Sequence, residues 1–362
     1  MKGIWKYRDS ISLPEHFEPL SLGEGNTPLV RSRNIGPALG MDHLYFKLET
    51  ANPTGSYKDR FASVAISQVL AEKGSLCLAT SSGNTGAALA AYSAMAGIPC
   101  QIAIVDGAPE GKLKQMRAYG AALWMIKGFG TDSRITEKTF EKLSYIARNR
   151  NTNIQVSAFK YCPVGMLGVA TISYEIAEAL EYPDHVFVPA GGGGLCLAIA
   201  RGFFSWKKKY KDYPLPKVNC VQPQGNDTIA GNLRKGLEKA KAIAKSRTKI
   251  SGLQVANVID GNETLKACAA LKGLGILVSD KSVYQCQRLL ATQEGIYAEP
   301  AGAVAMAGLK WSLENGEIAP HEKAVCIITG NGFKDTPSTD EIIKNNPVRY
   351  LDSIQSLERF IG

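Results

Sequence analysis

The chain reads as an α/β protein with two open, twisted-sheet lobes, and three observations predict this. Short β-branched or apolar runs alternate with longer helical patterns along most of the length, as in parallel sheets covered by helices. Nine such runs read as strands, more than one sheet comfortably holds. Three glycine-containing turns each lead from a strand straight into a helix, which suits a ligand cleft between two lobes.

In order, the strands fall near 44–48, 76–80, 100–105, 122–126, 154–157, 186–189, 217–222, 276–279 and 324–328. Helical patterns cover 59–73, 86–96, 111–119, 134–148, 168–180, 195–209, 280–294 and 301–314. The small residues of GAALAAYSAMAG in the second helix allow it to approach a sheet closely. No repeat, low-complexity stretch or long Pro/Ser linker marks a boundary. The crossing between lobes is placed near 157–162, giving a smaller lobe over 44–157 and a larger one over 1–43 plus 158–362.

Composition narrows the function classes. With 362 residues, 45% hydrophobic and 21% charged, the chain has the make-up of a folded globular protein. No run approaches the roughly 18 apolar residues of a membrane-spanning helix. The opening MKGIWKYRDS lacks the apolar core of a secretory signal, so the expected location is the cytoplasm, with no membrane partner. The eight cysteines form no C-x-x-C pair and sit in apolar runs such as SLCLA and AVCIIT, which reads as buried free thiols. His16, His43, His185 and His321 show no paired spacing, so no metal is expected. The net charge of +9 raises nucleic acid as a partner, but the densest runs, 207–209 and 235–249, have few stacking aromatics and read as solvated helix faces. No nucleic acid is expected.

Chemistry concentrates in the three turns. In Asn52-Pro53-Thr54-Gly55-Ser56-Tyr57-Lys58-Asp59-Arg60 a lysine stands at a helix start. That end of a helix is already positive, so it disfavours a second positive charge and suits an amine that must act as a nucleophile; a solvated surface lysine is the competing reading. In Thr80-Ser81-Ser82-Gly83-Asn84-Thr85-Gly86, amide hydrogens and hydroxyls converge where a carboxylate can bind, unless this is simply a capped turn. In Pro189-Ala190-Gly191-Gly192-Gly193-Gly194-Leu195, four glycines let the backbone wrap a phosphate, and without a ligand they would cost conformational entropy. No Gly-Lys-Ser/Thr follows, and the stretch beyond carries Lys207-Lys208-Lys209-Tyr210-Lys211 where a dinucleotide site wants an acid, so a single phosphate fits best.

A Schiff-base lysine, a carboxylate nest and a phosphate cup are together what pyridoxal phosphate and an amino acid require. From about Leu22 to Asp335 the sequence resembles the fold-type II pyridoxal-phosphate enzymes, the threonine synthase, threonine dehydratase and cysteine synthase superfamily with the architecture of the tryptophan synthase β-subunit. NPTGSYKDR is similar to its lysine motif, SSGNTG to its asparagine loop and VPAGGGGL to its phosphate cup. The resemblance implies that Lys58 bonds the cofactor as a Schiff base and then carries protons. It further implies that Asn84 faces the ring's phenolic oxygen, that Ser81, Ser82 and Thr85 hold the substrate carboxylate, and that Gly191, Gly192, Gly193, Gly194 and Leu195 hold the cofactor phosphate. Ile328-Thr329-Gly330-Asn331-Gly332-Phe333-Lys334-Asp335 resembles the strand whose hydroxyl meets the pyridine nitrogen, a role that falls to Thr329.

Within the superfamily, GNGFKD, NPTGSYKDR and Gly23-Glu24-Gly25-Asn26-Thr27-Pro28-Leu29 favour the threonine synthase branch, which converts O-phosphohomoserine and water into L-threonine and phosphate. The GGGGL cup and Glu299-Pro300-Ala301-Gly302-Ala303 are closer to dehydratases. Over 157–171, where threonine synthases place an arginine for the substrate phosphate, this chain has none and reads Val169-Ala170 in place of a Gln-Lys pair. Ser157 and Lys160 are the substrate-side residues expected there, with Lys160 as a point cation. Three possibilities stay open: threonine synthase; a serine or threonine dehydratase or β-replacement synthase; and a nonenzymatic binding protein with an idle Lys58. The resemblance implies a homodimer, and the short stretch past Asp335 is not expected to hold a regulatory domain. Trp5 and Tyr7 are expected to pack on the larger lobe or on a partner subunit.

Overall fold

A computed structural model describes every residue except 1, 15, 16, 107, 109, 131, 345, 352, 355, 356 and 358–362, so His16 lies outside the described residues. Its strands are β1 (Leu29–Arg31), β2 (Leu44–Leu48), β3 (Cys77–Thr80), β4 (Cys100–Ile104), β5 (Ala122–Met125), β6 (Ile154–Gln155), β7 (His185–Pro189), β8 (Lys217–Pro223), β9 (Gly275–Val278) and β10 (Ala324–Ile328). The α-helices are α1 (Ile35–Ala38), α2 (Lys58–Ala71), α3 (Asn84–Ala96), α4 (Glu110–Ala118), α5 (Ser133–Asn149), α6 (Pro163–Ala179), α7 (Gly194–Lys209), α8 (Ala230–Arg234), α9 (Gly261–Ala270), α10 (Asp280–Glu294), α11 (Pro300–Glu314) and α12 (Thr336–Ile343).

The strands form a six-stranded sheet in the order β1-β2-β10-β7-β8-β9 and a four-stranded sheet in the order β5-β4-β3-β6. All pairings are parallel except that of β1 with β2. Central strands such as β7 and β10 are buried at every residue, as expected of strands covered on both faces. Among the described residues, no helix is long and apolar enough to cross a membrane. All eight cysteines are free and buried.

The nine expected strands all form. The tenth, β1, is a three-residue edge strand with Val30 and Arg31 exposed, too short to show an alternating pattern. Helix α6 starts at Pro163, five residues earlier than its apolar pattern predicts, because proline at the first helical turn needs no amide hydrogen.

Two placements differ from the sequence expectation. β2, at the start of the segment 44–157 read as the smaller lobe, belongs to the six-stranded sheet, between β1 and β10. Leu44 and Phe46 are fully buried and Lys47 nearly so, so the strand needs cover on both faces, which an internal position provides. The basic stretch 235–249 is exposed along most of its length but not helical. Gly236, at φ +65°, follows the end of α8, and the chain is then held by tertiary bonds from Lys241 N to Thr228 O, Ile243 N to Ala256 O and Arg247 N to Gly225 O. These displace the helical hydrogen bonds that the residue types favour.

A buried ionic network fixes the helix that begins with Lys58. Arg60, fully buried on α2, pairs with Glu49 at 2.7 Å and with Glu175 of α6 at 2.6 Å, and Lys47 of β2 also pairs with Glu175 at 2.6 Å. Burial alone would raise the Glu175 carboxyl, but Arg60 and Lys47 pull it down to about 2. Burial pushes the Lys47 amine down, opposed by Glu175 and Glu49. The N-terminal tail docks on the same helices of its own chain: Trp5 Nε1 donates to Glu24 and to Ser63 of α2, and the Tyr7 ring meets Tyr174 of α6 edge-on.

Candidate active site

Five loops converge where parallel strands end: β2 leads to Lys58, β3 to Ser81–Asn84, β6 to Ser157, β7 to the four glycines and β10 to Thr329. The carboxyl ends of strands are where open α/β sheets bind ligands.

Lys58 is the first residue of α2, and its Nζ donates to Ser157 Oγ at 2.7 Å. Ser157 Oγ lies 3.0 Å from Thr85 Oγ1, so lysine, serine and threonine form one hydrogen-bonded chain drawn from three loops. The neighbouring Asp59 closes the turn before Lys58 by accepting from Thr54 N at 3.2 Å and Thr54 Oγ1 at 2.9 Å. Burial pushes the Asp59 carboxyl up to about 7 despite those two bonds. The motif thus divides its labour: Lys58 faces the site, Asp59 shapes the turn and Arg60 anchors the helix.

In the second loop, Ser81 Oγ accepts from the amides of Gly83 at 3.2 Å and Gly86 at 3.0 Å, bracing the start of α3. Ser82 stays half-buried beside it. Asn84 Nδ2 donates to Glu299 Oε1 at 2.8 Å. This contact depends on Gly330, since a Cβ there would stand 2.3 Å from Glu299 Oε1.

The glycine cup is tied down through its carbonyls. Gly191 O accepts from Gln222 Nε2, Gly192 O from Asp260 N, and Gly193 O from Thr264 Oγ1. The amide hydrogens of Gly191, Gly192, Gly193, Gly194 and Leu195 have no acceptor among the described residues, so the cup presents only donors. Gly193 adopts φ +97°, and a Cβ there would lie 2.3 Å from Thr264 Oγ1. Asp260, just before α9, also accepts from the amides of Phe159 at 2.8 Å and Lys160 at 3.0 Å, which links the cup to the Ser157 turn. Burial raises the Asp260 carboxyl, opposed by those two amides.

Thr329 follows β10 with its Oγ1 fully buried and without a hydrogen-bond partner among the described residues. A buried orphan hydroxyl costs stability unless something else meets it. Lys160 is not brought into the cluster: its side chain is exposed, with Nζ 5.5 Å from the Tyr161 ring centre. Val169 and Ala170 are buried within α6.

Beside the cluster lies a cleft of about 590 Å³, lined by Asn84, Glu299, Lys114, Gln115, Phe333 and Lys334 among others. Lys334 Nζ donates to Gln115 Oε1 at 2.8 Å across the cleft mouth. Burial lowers the Lys334 amine, opposed by Glu299 and Asp59. Glu299, Asp260 and Lys334 carry no role in the sequence reading. The one local signal for the two acids is that each directly precedes a helix, Glu299 before Pro300 and Asp260 before Gly261. Among the described residues, no His, Cys, Asp and Glu cluster could hold a metal.

These residues fit pyridoxal phosphate: a donor-only cup for its phosphate, a lysine held by a hydroxyl, and an unpartnered buried hydroxyl suited to a ring nitrogen. Fold and site together define a cofactor-dependent enzyme of amino-acid chemistry. The chain belongs to the family described as pyridoxal-phosphate dependent enzyme, whose model matches residues 20–330. It is 34% identical to a threonine synthase of Methanocaldococcus jannaschii, over 99% of this chain and 87% of that protein. It is 32% identical to a threonine synthase of Halalkalibacterium halodurans, over 95% and 92%. The processed form of threonine deaminase isoform 2 from Solanum lycopersicum superposes with a TM-score of 0.74 at 22% identity, covering 95% of this chain and 94% of that one, which shows the shared fold. The protein is therefore a pyridoxal-phosphate-dependent lyase of the fold-type II class, similar to threonine synthases.

Proposed function

We propose that the enzyme is a threonine synthase, converting O-phosphohomoserine and water to L-threonine and phosphate. The observation that carries this reading is the cleft lined by Gly55 and Asn84, which sets Lys114 and Lys334 against one carboxylate among its described lining residues, Glu299, and so suits a phosphate-bearing substrate. The threonine synthase relatives support it.

Pyridoxal phosphate, when bound, supplies the electron sink that makes carbon-bound protons of an amino acid labile. Lys58 would hold the cofactor and would serve as the proton carrier, with its amine oriented by Ser157, which Thr85 in turn braces. Ser81, Ser82 and Thr85 bind the substrate carboxylate at the start of α3, where unpaired amides favour an anion. Asn84, oriented by Glu299, would face the phenolic oxygen, Gly191 to Leu195 would hold the cofactor phosphate, and Thr329 would offer the ring nitrogen a hydroxyl without a charge. The carboxylate loop belongs to the smaller lobe and the cup and Thr329 to the larger. The family resemblance supports a homodimer in the cytoplasm, and light scattering tests the oligomeric state.

A second reading, a serine or threonine dehydratase or a β-replacement synthase, is favoured by the missing arginine over 157–171 and by the burial of Val169 and Ala170 away from the cleft. One assay separates the two. O-phosphohomoserine, O-phosphoserine, threonine and serine are offered separately and the products identified. Phosphate release with threonine formation from the first supports a threonine synthase, whereas a keto acid or β-substituted alanine from the others with no threonine overturns it. Lys160→Ala and Lys334→Ala, compared for KM on the phosphorylated substrate, show which lysine meets the distal phosphate.

A further inference from the structure

The four-stranded sheet carries a second cavity, remote from the cleft. It is a groove of about 680 Å³ between one face of the sheet and α5. Its floor is apolar, with Leu78 of β3, Ala103 of β4 and Trp124 of β5, and Leu143 and Ile146 of α5 close it from above. It reaches Ser75 and Pro99, at the start of β3 and β4, whereas Lys58 and its partners meet where strands end.

The sequence of α5 explains the opening. Ile135, Thr139, Leu143 and Ala147 recur every fourth residue and turn toward the sheet, and the adjacent stripe runs Lys138, Lys142, Ile146, Arg150. At 1.5 Å per residue this basic stripe extends about 18 Å along one rim. All three cations are exposed and form no ion pair among the described residues, and no Asp or Glu lines the groove. On the opposite wall Trp124 is 60% exposed, and its indole Nε1 donates to Gln101 Oε1 at 2.6 Å. That leaves the Gln101 amide donors without a protein partner among the described residues. A concave apolar floor, an exposed indole and a row of cations outside any ion pair among the described residues have the chemistry of a site for an apolar body with an anionic head.

We propose that this groove is a second binding site, for a free amphipathic carboxylate of medium chain length whose alkyl body lies on Trp124 and Leu78 and whose head meets the Lys138–Lys142 rim. The site is independent of the lyase chemistry and holds whichever substrate the cleft accepts.

The test is a titration of the holoenzyme with decanoate, below its aggregation concentration, followed by tryptophan emission and by calorimetry. The expected result is saturable one-to-one binding, at least tenfold tighter than decanol and weakened by salt, with the emission change lost in Trp124→Phe. The exposed pair Lys138→Glu/Lys142→Glu should weaken binding at least tenfold while circular dichroism and lyase activity stay unchanged. Equal affinity for decanoate and decanol, non-saturating uptake, or indifference to the charge reversal would overturn the proposal. So would a groove closed by a second copy of the chain, seen as wild-type protein that binds no decanoate and a double variant of altered mass in light scattering.

Discussion

Lys58 Nζ and Ser157 Oγ lie 2.7 Å apart although 99 positions separate them in the chain. Ser157 follows β6, a strand of only two residues, and its turn is held from the far side by Asp260, which accepts from Phe159 N and Lys160 N. The same Asp260 donates its own amide to Gly192 O. One acid at the head of α9 therefore sets both the glycine cup and the hydroxyl that steadies the Lys58 amine.

Replacing Ser157 with alanine should leave the fold intact and slow turnover about twofold to tenfold, since losing a typical hydrogen bond costs about 0.5–1.5 kcal/mol. The pH profile of kcat should shift with it, and Ser157→Thr should restore part of the rate. Unchanged kcat and pH profile would remove Ser157 from its positioning role.

Asp59 gives the fold a pH dependence of defined sign. Its carboxyl ordinarily titrates near 3.8 and is pushed by burial to about 7, so the folded state holds a proton that the unfolded state releases between those values. Its contribution is fully present below about 4 and is lost as pH rises through about 7. Compared with Asp59→Asn, which cannot titrate, the wild type should lose stability from about pH 4 to about pH 7 in urea melts and level off above. Parallel pH curves for the two proteins would contradict the assignment.

Much of this was legible in the sequence because parallel strands buried on both faces are local, strongly apolar signals. Val186, Phe187 and Val188 announce β7 without help from any partner, and glycines at 191–194 announce a backbone that must approach a ligand. Partnerships between distant residues were not legible. Nothing near Glu299 states that it will bond Asn84, 215 positions away, and nothing near Arg60 states that Glu49 and Glu175 will enclose it. Likewise 235–249 has the composition of a helix, but its backbone is claimed by Thr228, Ala256 and Gly225, which local propensity cannot see.

Arg60 should be the most costly residue of the lysine motif for stability. It is fully buried, with bonds to Glu49, Glu175, Thr27 and Thr171, and its removal takes from Glu49 its ion-pair partner and leaves Glu175 to Lys47. Arg60→Leu should lower unfolding free energy by about 3–5 kcal/mol. Arg60→Lys should recover only part of this, since an ammonium cannot span both acids as the guanidinium fork does. Denaturant titration measures both, and a loss below about 1 kcal/mol for Arg60→Leu would mean that the network is dispensable.

Thr329 allows the cofactor's contribution to be separated from that of the protein. Its Oγ1 is buried without a partner among the described residues, so valine, which has nearly the same shape, removes an unsatisfied polar group from the cofactor-free chain. Thr329→Val should therefore leave apoprotein stability unchanged or raise it by about 1 kcal/mol, within the usual cost of an orphaned buried group. With pyridoxal phosphate bound, the same change should weaken cofactor affinity and shift the visible absorption if, as proposed, the hydroxyl's partner is the ring nitrogen. Destabilisation of the apoprotein would show that the hydroxyl already has a partner within the chain. An unaltered spectrum and cofactor affinity would instead show that the ring nitrogen lies elsewhere.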